Sequence, residues 1–220
     1  KNFDKYFKEY NFHKLYKELV NFCSLDLSAF YFDIRKDILY CDEIKSPKRQ
    51  ACLNLLDLVL DMLLKWFAPI LSFTTEEIYQ IMQKDQNTSI HLQNFPIIPT
   101  KWENNQLFEK WNKLKTIRDV VNAAIEVKRS SKDVGSSLEA DIEIYLGEEY
   151  LKLVKDINLS EYFITSSAKV KPMVNNDKLF KLDNTVNVGI LVKKALGKKC
   201  SRCWKILQNP CKRSNCGLKN

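Results

Sequence analysis

Residues 46–79 read SPKRQACLNLLDLVLDMLLKWFAPILSFTTEEIY, and this stretch decides the fold. Ser46 in the N-cap position and Pro47 in the first turn are the order in which a helix opens. From 51 to 67 the apolar residues lie on more than one face, so the spacing predicts a helix at the centre of a bundle, covered by several neighbours. Pro69 ends it. Thr74 to Glu77 then has the spacing of a capping box, which predicts a second helix running to about Lys84. Asp57 and Asp61 stand four apart, but no further carboxylate or histidine accompanies them. They read as a solvated seam.

Working outward toward the N-terminus, residues 27–42 (LSAFYFDIRKDILYCD) place Phe30, Ile34 and Ile38 on one helical face. Residues 1–24 repeat aromatic and aliphatic side chains at helical spacing: Phe3, Tyr6, Phe7 and Tyr10, then Leu15, Tyr16, Leu19, Val20 and Phe22. Asn11 between the sets predicts an N-cap, and the stripe reads as core. Toward the C-terminus, residues 85–100 form a connection that Pro96 and Pro99 keep irregular. A long helix is expected over about 104–131, with Leu107, Trp111, Leu114, Ile117, Val121 and Ile125 on its buried face. Arg118, Lys128, Arg129 and Lys132 supply basic positions toward and beyond its end.

At Gly135 the period changes. Residues 138–146 alternate as a half-buried strand does, 148–157 suit a short helix, and strands are expected at 162–166 and 185–192. The division expected is a helical domain over 1–134, a small α/β subdomain over 135–197, and a terminal module over 198–220.

That terminal module, KKCSRCWKILQNPCKRSNCGLKN, holds Cys200, Cys203, Cys211 and Cys216. The C-x-x-C pair suits a metal knuckle. Four thiolates around one tetrahedral ion make a structural zinc site with no position open for water. The second pair is wider, with Ser214 where a second C-x-x-C would have cysteine. Either Cys216 completes the set through a wider turn, or another group is the fourth ligand, or the metal has been lost. Cys23, Cys41 and Cys52 are scattered singly and read as buried free thiols, which with a thiolate site points to a reducing cytosol.

The module also carries the charge. Of 35 Lys and Arg in the chain, nine lie from Lys193 onward, against no Asp or Glu; the other 192 residues hold 26 basic and 27 acidic groups. The net charge of +8 therefore sits at one end. A basic knuckle with an aromatic, Trp204, suits phosphates and an unpaired base, with Lys198, Lys199, Arg202 and Lys205 as the cationic contacts.

No apolar run reaches the 18 residues that a membrane span needs, and no signal peptide opens the chain. The absence of an initiator Met fits a piece of a longer protein. There is no Gly-rich phosphate loop, and His13 and His91 have no nucleophile or carboxylate arranged about them in sequence, so no catalytic residue is assigned.

These stretches resemble the anticodon-binding region of class I isoleucyl-tRNA synthetases of the bacterial type. The resemblance is carried by residues 27–42, 46–79, IHLQNFP at 90–96, IRDVVNAAIEVKRSSKDVGSSLEADIEI at 117–144, and CSRCW at 200–204. It implies a mainly α fold: a helical bundle, a small α/β subdomain and a zinc knuckle. It also implies a parent enzyme that joins isoleucine to its tRNA using ATP and Mg2+ in a catalytic domain, whose HIGH and KMSKS signatures do not occur in this chain. The family's CxRCW motif places Arg202 and Trp204 at the anticodon. The partners implied are tRNA(Ile) and the parent's catalytic and editing domains, in a cytoplasmic monomer. The rival readings are a stand-alone zinc-containing RNA-binding module, a purely structural knuckle that docks on protein, and the same arm of a valyl or leucyl enzyme.

Overall fold

The computed structural model describes residues 2–83, 88–213 and Cys216. Its elements run α1 (Asn2–Lys8), α2 (Phe12–Asn21), a π-helical stretch (Phe22–Phe32), α3 (Asp33–Cys41), α4 (Pro47–Phe67), α5 (Ser72–Met82) and α6 (Asn105–Ser130). Then come β1 (Ala140–Leu146), α7 (Glu148–Leu151), α8 (Leu159–Tyr162), β2 (Ser167–Pro172), β3 (Val188–Lys194), β4 (Lys198–Lys199) and β5 (Ile206–Leu207). The fold is mainly helical, with a small α/β part and a terminal cysteine cluster. Two compact units emerge: Lys1–Leu39 with Ile44–Trp102, and Tyr40–Glu43 with Glu103–Asn220.

In the first unit the side chain of Asn11 accepts from the Lys14 amide and opens α2, as the sequence predicts. Tyr10 is not core: it is 80% exposed, with φ of 54°. Its amide reaches the Phe7 carbonyl and that of Asn11 reaches Tyr6, the double bond that closes a helix through a left-handed residue. Phe3 and Phe7 instead meet Phe95, at 5.0 and 4.8 Å between ring centroids. Backbone stays helical through Phe22–Phe32, so α2 and α3 are joined without a break.

α4 begins at Pro47 as expected, but it is not covered all round. Cys52 and Leu64 are its buried residues, while Leu55, Leu58 and Leu60 are 37–40% exposed. Asp61 pairs with Lys65 at 2.7 Å. The capping box does not form. α5 starts at Ser72, with Leu71 at the cap in place of Thr74, three residues early, and the Thr75 hydroxyl donates back to the Leu71 carbonyl. Glu76, not Glu77, is the structural carboxylate: it accepts from Gln80, Ser89 and the Ile90 amide, tying α5 to the next turn. The expected end near Lys84 lies outside the described residues.

The second unit is built on α6. Asn104 caps it, accepting from the Leu107 amide at 2.9 Å, and Leu114, Ile117, Val120 and Val121 have no solvent exposure. Leu107, expected on that face, is 49% exposed. Arg118 is not a surface cation either. It is buried, donates to the Tyr162 carbonyl, and lies 5.5 Å from that ring's centre.

The sheet has the order β2-β1-β3, with β1 parallel to β2 and antiparallel to β3. Ala140, Ile142, Ile144 and Leu146 of β1 are fully buried, and α6 packs against β3. The strand expected at 162–166 is absent. Leu159–Tyr162 is helical, and Ile164 at φ of 55° closes that turn before β2 starts at Ser167. The third strand lies three residues later than its expected start.

Candidate metal centre and nucleic-acid interface

β4 and β5 pair as a minimal hairpin, Lys198 opposite Leu207 and Lys199 opposite Ile206. Two backbone bonds fold the tip: Cys200 N–H to the Lys205 carbonyl and Trp204 N–H to the Cys200 carbonyl, both 2.9 Å. Gly197 enters the hairpin at φ of 133°, where an added Cβ would sit 2.1 Å from the Leu207 carbonyl oxygen. Only glycine allows this approach. The hairpin is tied to the sheet end, because the Ile206 amide donates to Ser166 Oγ at 2.6 Å.

Within this frame the sulfurs of Cys200, Cys203, Cys211 and Cys216 all lie within 4.8 Å of one another. Tetrahedral zinc with Zn–S of about 2.3 Å needs sulfurs about 3.8 Å apart, so the set fits with a small contraction. In the wide second pair the Cys216 amide donates to the Arg213 carbonyl at 2.9 Å. Ser214 lies outside the described residues. Cys203 and Cys216 are buried, Cys200 and Cys211 partly so.

The thiols are electrostatically uneven. Burial works against the Cys200 thiolate. The Cys203 and Arg202 amides and the Cys203 and Cys216 thiols hold it more strongly, bringing its pKa down to about 7. Burial pushes Cys203 up to about 11 and raises Cys216 further, helped by neighbouring sulfurs. Four clustered thiols resist joint ionisation, and a divalent cation removes that resistance.

Of the expected RNA contacts, Trp204 is 60% exposed at φ of 61°. Lys198, Lys199 and Arg202 are also exposed. Lys199 stands 3.9 Å from Glu139, and Arg202 donates to the Tyr40 carbonyl at 2.6 Å. Lys205 is buried, and its carbonyl holds the knuckle turn. Sequence reasoning missed the neighbourhood of Cys41. It is buried against Cys203 and Cys216, with its thiol 3.9 Å from the Arg202 carbonyl, across 161 residues of chain. No local signal marks it, since a lone Cys in a helix reads as a core thiol.

His13 is exposed. His91 Nε2 lies 3.3 Å from the Ser72 carbonyl oxygen.

Residues 1–144 match the family model described as the anticodon-binding domain of tRNA ligase. The chain is 49% identical over 212 residues to the isoleucine–tRNA ligase of Pelagibacter ubique, covering 96% of this chain and 22% of that protein. It is 40% identical over 207 residues to that of Rhodopseudomonas palustris (92% and 21%) and 42% identical over 200 residues to that of Bradyrhizobium diazoefficiens (90% and 20%). It therefore spans about a fifth of the length of these relatives and corresponds to their anticodon-binding region, without catalytic motifs of its own. With that match over most of its length, the chain belongs to the anticodon-binding domain family of the tRNA ligases.

Proposed function

We propose that this chain is the anticodon-recognition arm of an isoleucine–tRNA ligase acting on tRNA(Ile) in the cytoplasm. The parent would attach isoleucine using ATP and Mg2+ in a catalytic domain that this segment lacks. Its working division is a helical domain over 1–134, an α/β subdomain over 135–197 and a zinc knuckle over 198–220. Zinc is held by Cys200, Cys203, Cys211 and Cys216 in a structural role, and the wide second pair closes through Cys216. Trp204 offers its face to an unpaired base, with Arg202, Lys198 and Lys199 toward the RNA. Lys205 belongs to the same basic segment; its buried stem makes it the weakest contributor.

The observation that carries this reading is the pairing at one turn of a converged four-cysteine cluster with an exposed Trp204. A left-handed backbone is costly for a tryptophan, and residues held in such conformations cluster at ligand contacts.

The test is binding, at fixed salt, to an isoleucine tRNA transcript and to the same transcript with its anticodon replaced. A preference for the native anticodon, lost in Trp204→Ala, supports the reading. Equal salt-sensitive binding to both would reduce the knuckle to a general basic surface.

A further inference from the structure

Tyr40, Cys41 and Asp42 are consecutive at the end of α3, belong to the second unit, and each touches the knuckle. The Tyr40 carbonyl accepts from the Arg202 guanidinium at 2.6 Å, Cys41 Sγ lies 3.9 Å from the Arg202 carbonyl, and Asp42 Oδ1 lies 3.6 Å from Arg213 Nε. The last carbonyls of a helix lack intrahelical partners and carry partial negative charge, which a guanidinium complements. Arg202 is thus occupied in holding this helix end. Its fork keeps further donors, but its position is set by Tyr40.

The clamp has a consequence for the ring of Tyr40. The contact runs through the main chain, so the side chain is left out of it, and the residue is 69% exposed. Two residues beyond Arg202, Trp204 is 60% exposed. An exposed tyrosine alone is ordinary. Here it is fastened through its carbonyl to the turn that carries the exposed tryptophan, in a terminal segment that also exposes Lys198, Lys199 and Lys212. Of the acidic neighbours, Asp42 faces Arg213, while Glu43 is exposed. Flat rings on a cationic surface are the chemistry that holds single-stranded RNA, in which each base presents a π-face and each link a phosphate.

We infer that Tyr40 is a second base-stacking surface, and that Arg202 is a positioning residue that holds Tyr40 and Trp204 together for unpaired nucleotides of one strand. This rests on the RNA-binding reading above and names a partner surface outside the knuckle itself.

The experiment measures binding of an isoleucine tRNA transcript to the chain and to Tyr40→Ala, Tyr40→Phe, Trp204→Ala and Arg202→Ala. Zinc content and thermal midpoint are recorded for each. Because the clamp uses the Tyr40 carbonyl, Tyr40→Ala keeps it. That variant should retain zinc and folding yet bind about 5- to 150-fold more weakly, the range for loss of one stacked base. Tyr40→Phe should bind as the parent does. In the Arg202→Ala background, Tyr40→Ala should cost markedly less, the signature of positioning. Full affinity in Tyr40→Ala together with a loss in Trp204→Ala would overturn this inference and leave the RNA-binding reading standing. Full affinity in both would overturn the two together. A loss in Tyr40→Ala that Tyr40→Phe shares would assign the effect to the hydroxyl, and the stacking role would fall.

Discussion

The two units bury their apolar residues differently. In the second, Leu114, Ile117, Val120, Val121, Ala140, Ile142, Ile144, Leu146 and Val188 are all fully enclosed. In the first, the most enclosed are Leu15, Ile38 and Ile90 at 1–2%, and α4 leaves Leu55, Leu58 and Leu60 more than a third open. Each contains a long helix, α4 in the first and α6 in the second, so helix length does not separate them. α6 packs against β3, whose Val188, Ile190 and Val192 are buried at a two-residue period, so the middle of the helix is closed off. Helices laid on helices touch along narrower seams. The difference teaches that the unit carrying the cysteine cluster has a fully enclosed core of its own.

The largest effect expected tests this difference. Ile144→Ala should destabilise the second unit by about 2–5 kcal/mol, as removal of a fully packed aliphatic does. Leu58→Ala on α4 should cost well under that, since the side chain is already partly hydrated. Hydrogen exchange read by mass spectrometry separates the two units. Faster exchange spreading through β1–β3 for the first variant, and a local change for the second, is the expected pattern. Similar global losses would show that the units unfold as one.

Helix existence and much of the knuckle were legible because they rest on local rules. Asn11, Pro47 and Asn104 each open a helix where the sequence points, and the Cys200–Cys203 spacing marks the turn of the four-cysteine cluster. Helix ends were harder. Tyr10, Lys132 and Ile164 each take a left-handed backbone at a helix terminus, a position that sequence reading expects of glycine. With five glycines in the whole chain, the usual stop signal is missing, and 162–166 reads as strand when it is the close of a short helix. The π-helical stretch has no residue pattern that distinguishes it from α. Tertiary partners were invisible: Glu76 reaching Ile90, Arg118 reaching Tyr162 and Cys41 reaching the knuckle all join residues far apart in the chain.

An acid step of middling size sharpens the comparison. On β1, Glu143 accepts from Lys171 at 2.8 Å, Lys193 at 2.9 Å and the Tyr145 hydroxyl at 3.0 Å. Lys171 and Lys193 hold its carboxyl down to about 2, against the partial cost of burial. A depressed folded pKa contributes stability above the unfolded value of about 4.3, and that contribution is lost as pH falls toward 2. The thermal midpoint of the second unit should therefore drop across that window, and Glu143→Gln should flatten the drop while lowering the midpoint at pH 7. Glu76 gives the first unit a drop of the same sign, its carboxyl held down first by Gln80 and then by the Ile90 amide and Ser89. An unchanged acid slope in Glu143→Gln would remove this network from the account.

The smallest expected change is the most informative about the site. Trp204 sits at φ of 61°, a region that costs an ordinary residue roughly 1–2 kcal/mol and glycine almost nothing. Trp204→Gly should leave the Cys200–Lys205 turn intact and keep zinc, because the bonds that fold it are main-chain. Knuckle stability should hold or rise by up to about 1 kcal/mol, offset by any apolar contact the ring makes. RNA affinity should fall as far as it does in Trp204→Ala. Stability and binding moving in opposite directions at one position would mean that the turn is folded against its own preference so that the indole can be presented. If both fell, the ring would be part of what holds the knuckle together, and its exposure would need another explanation.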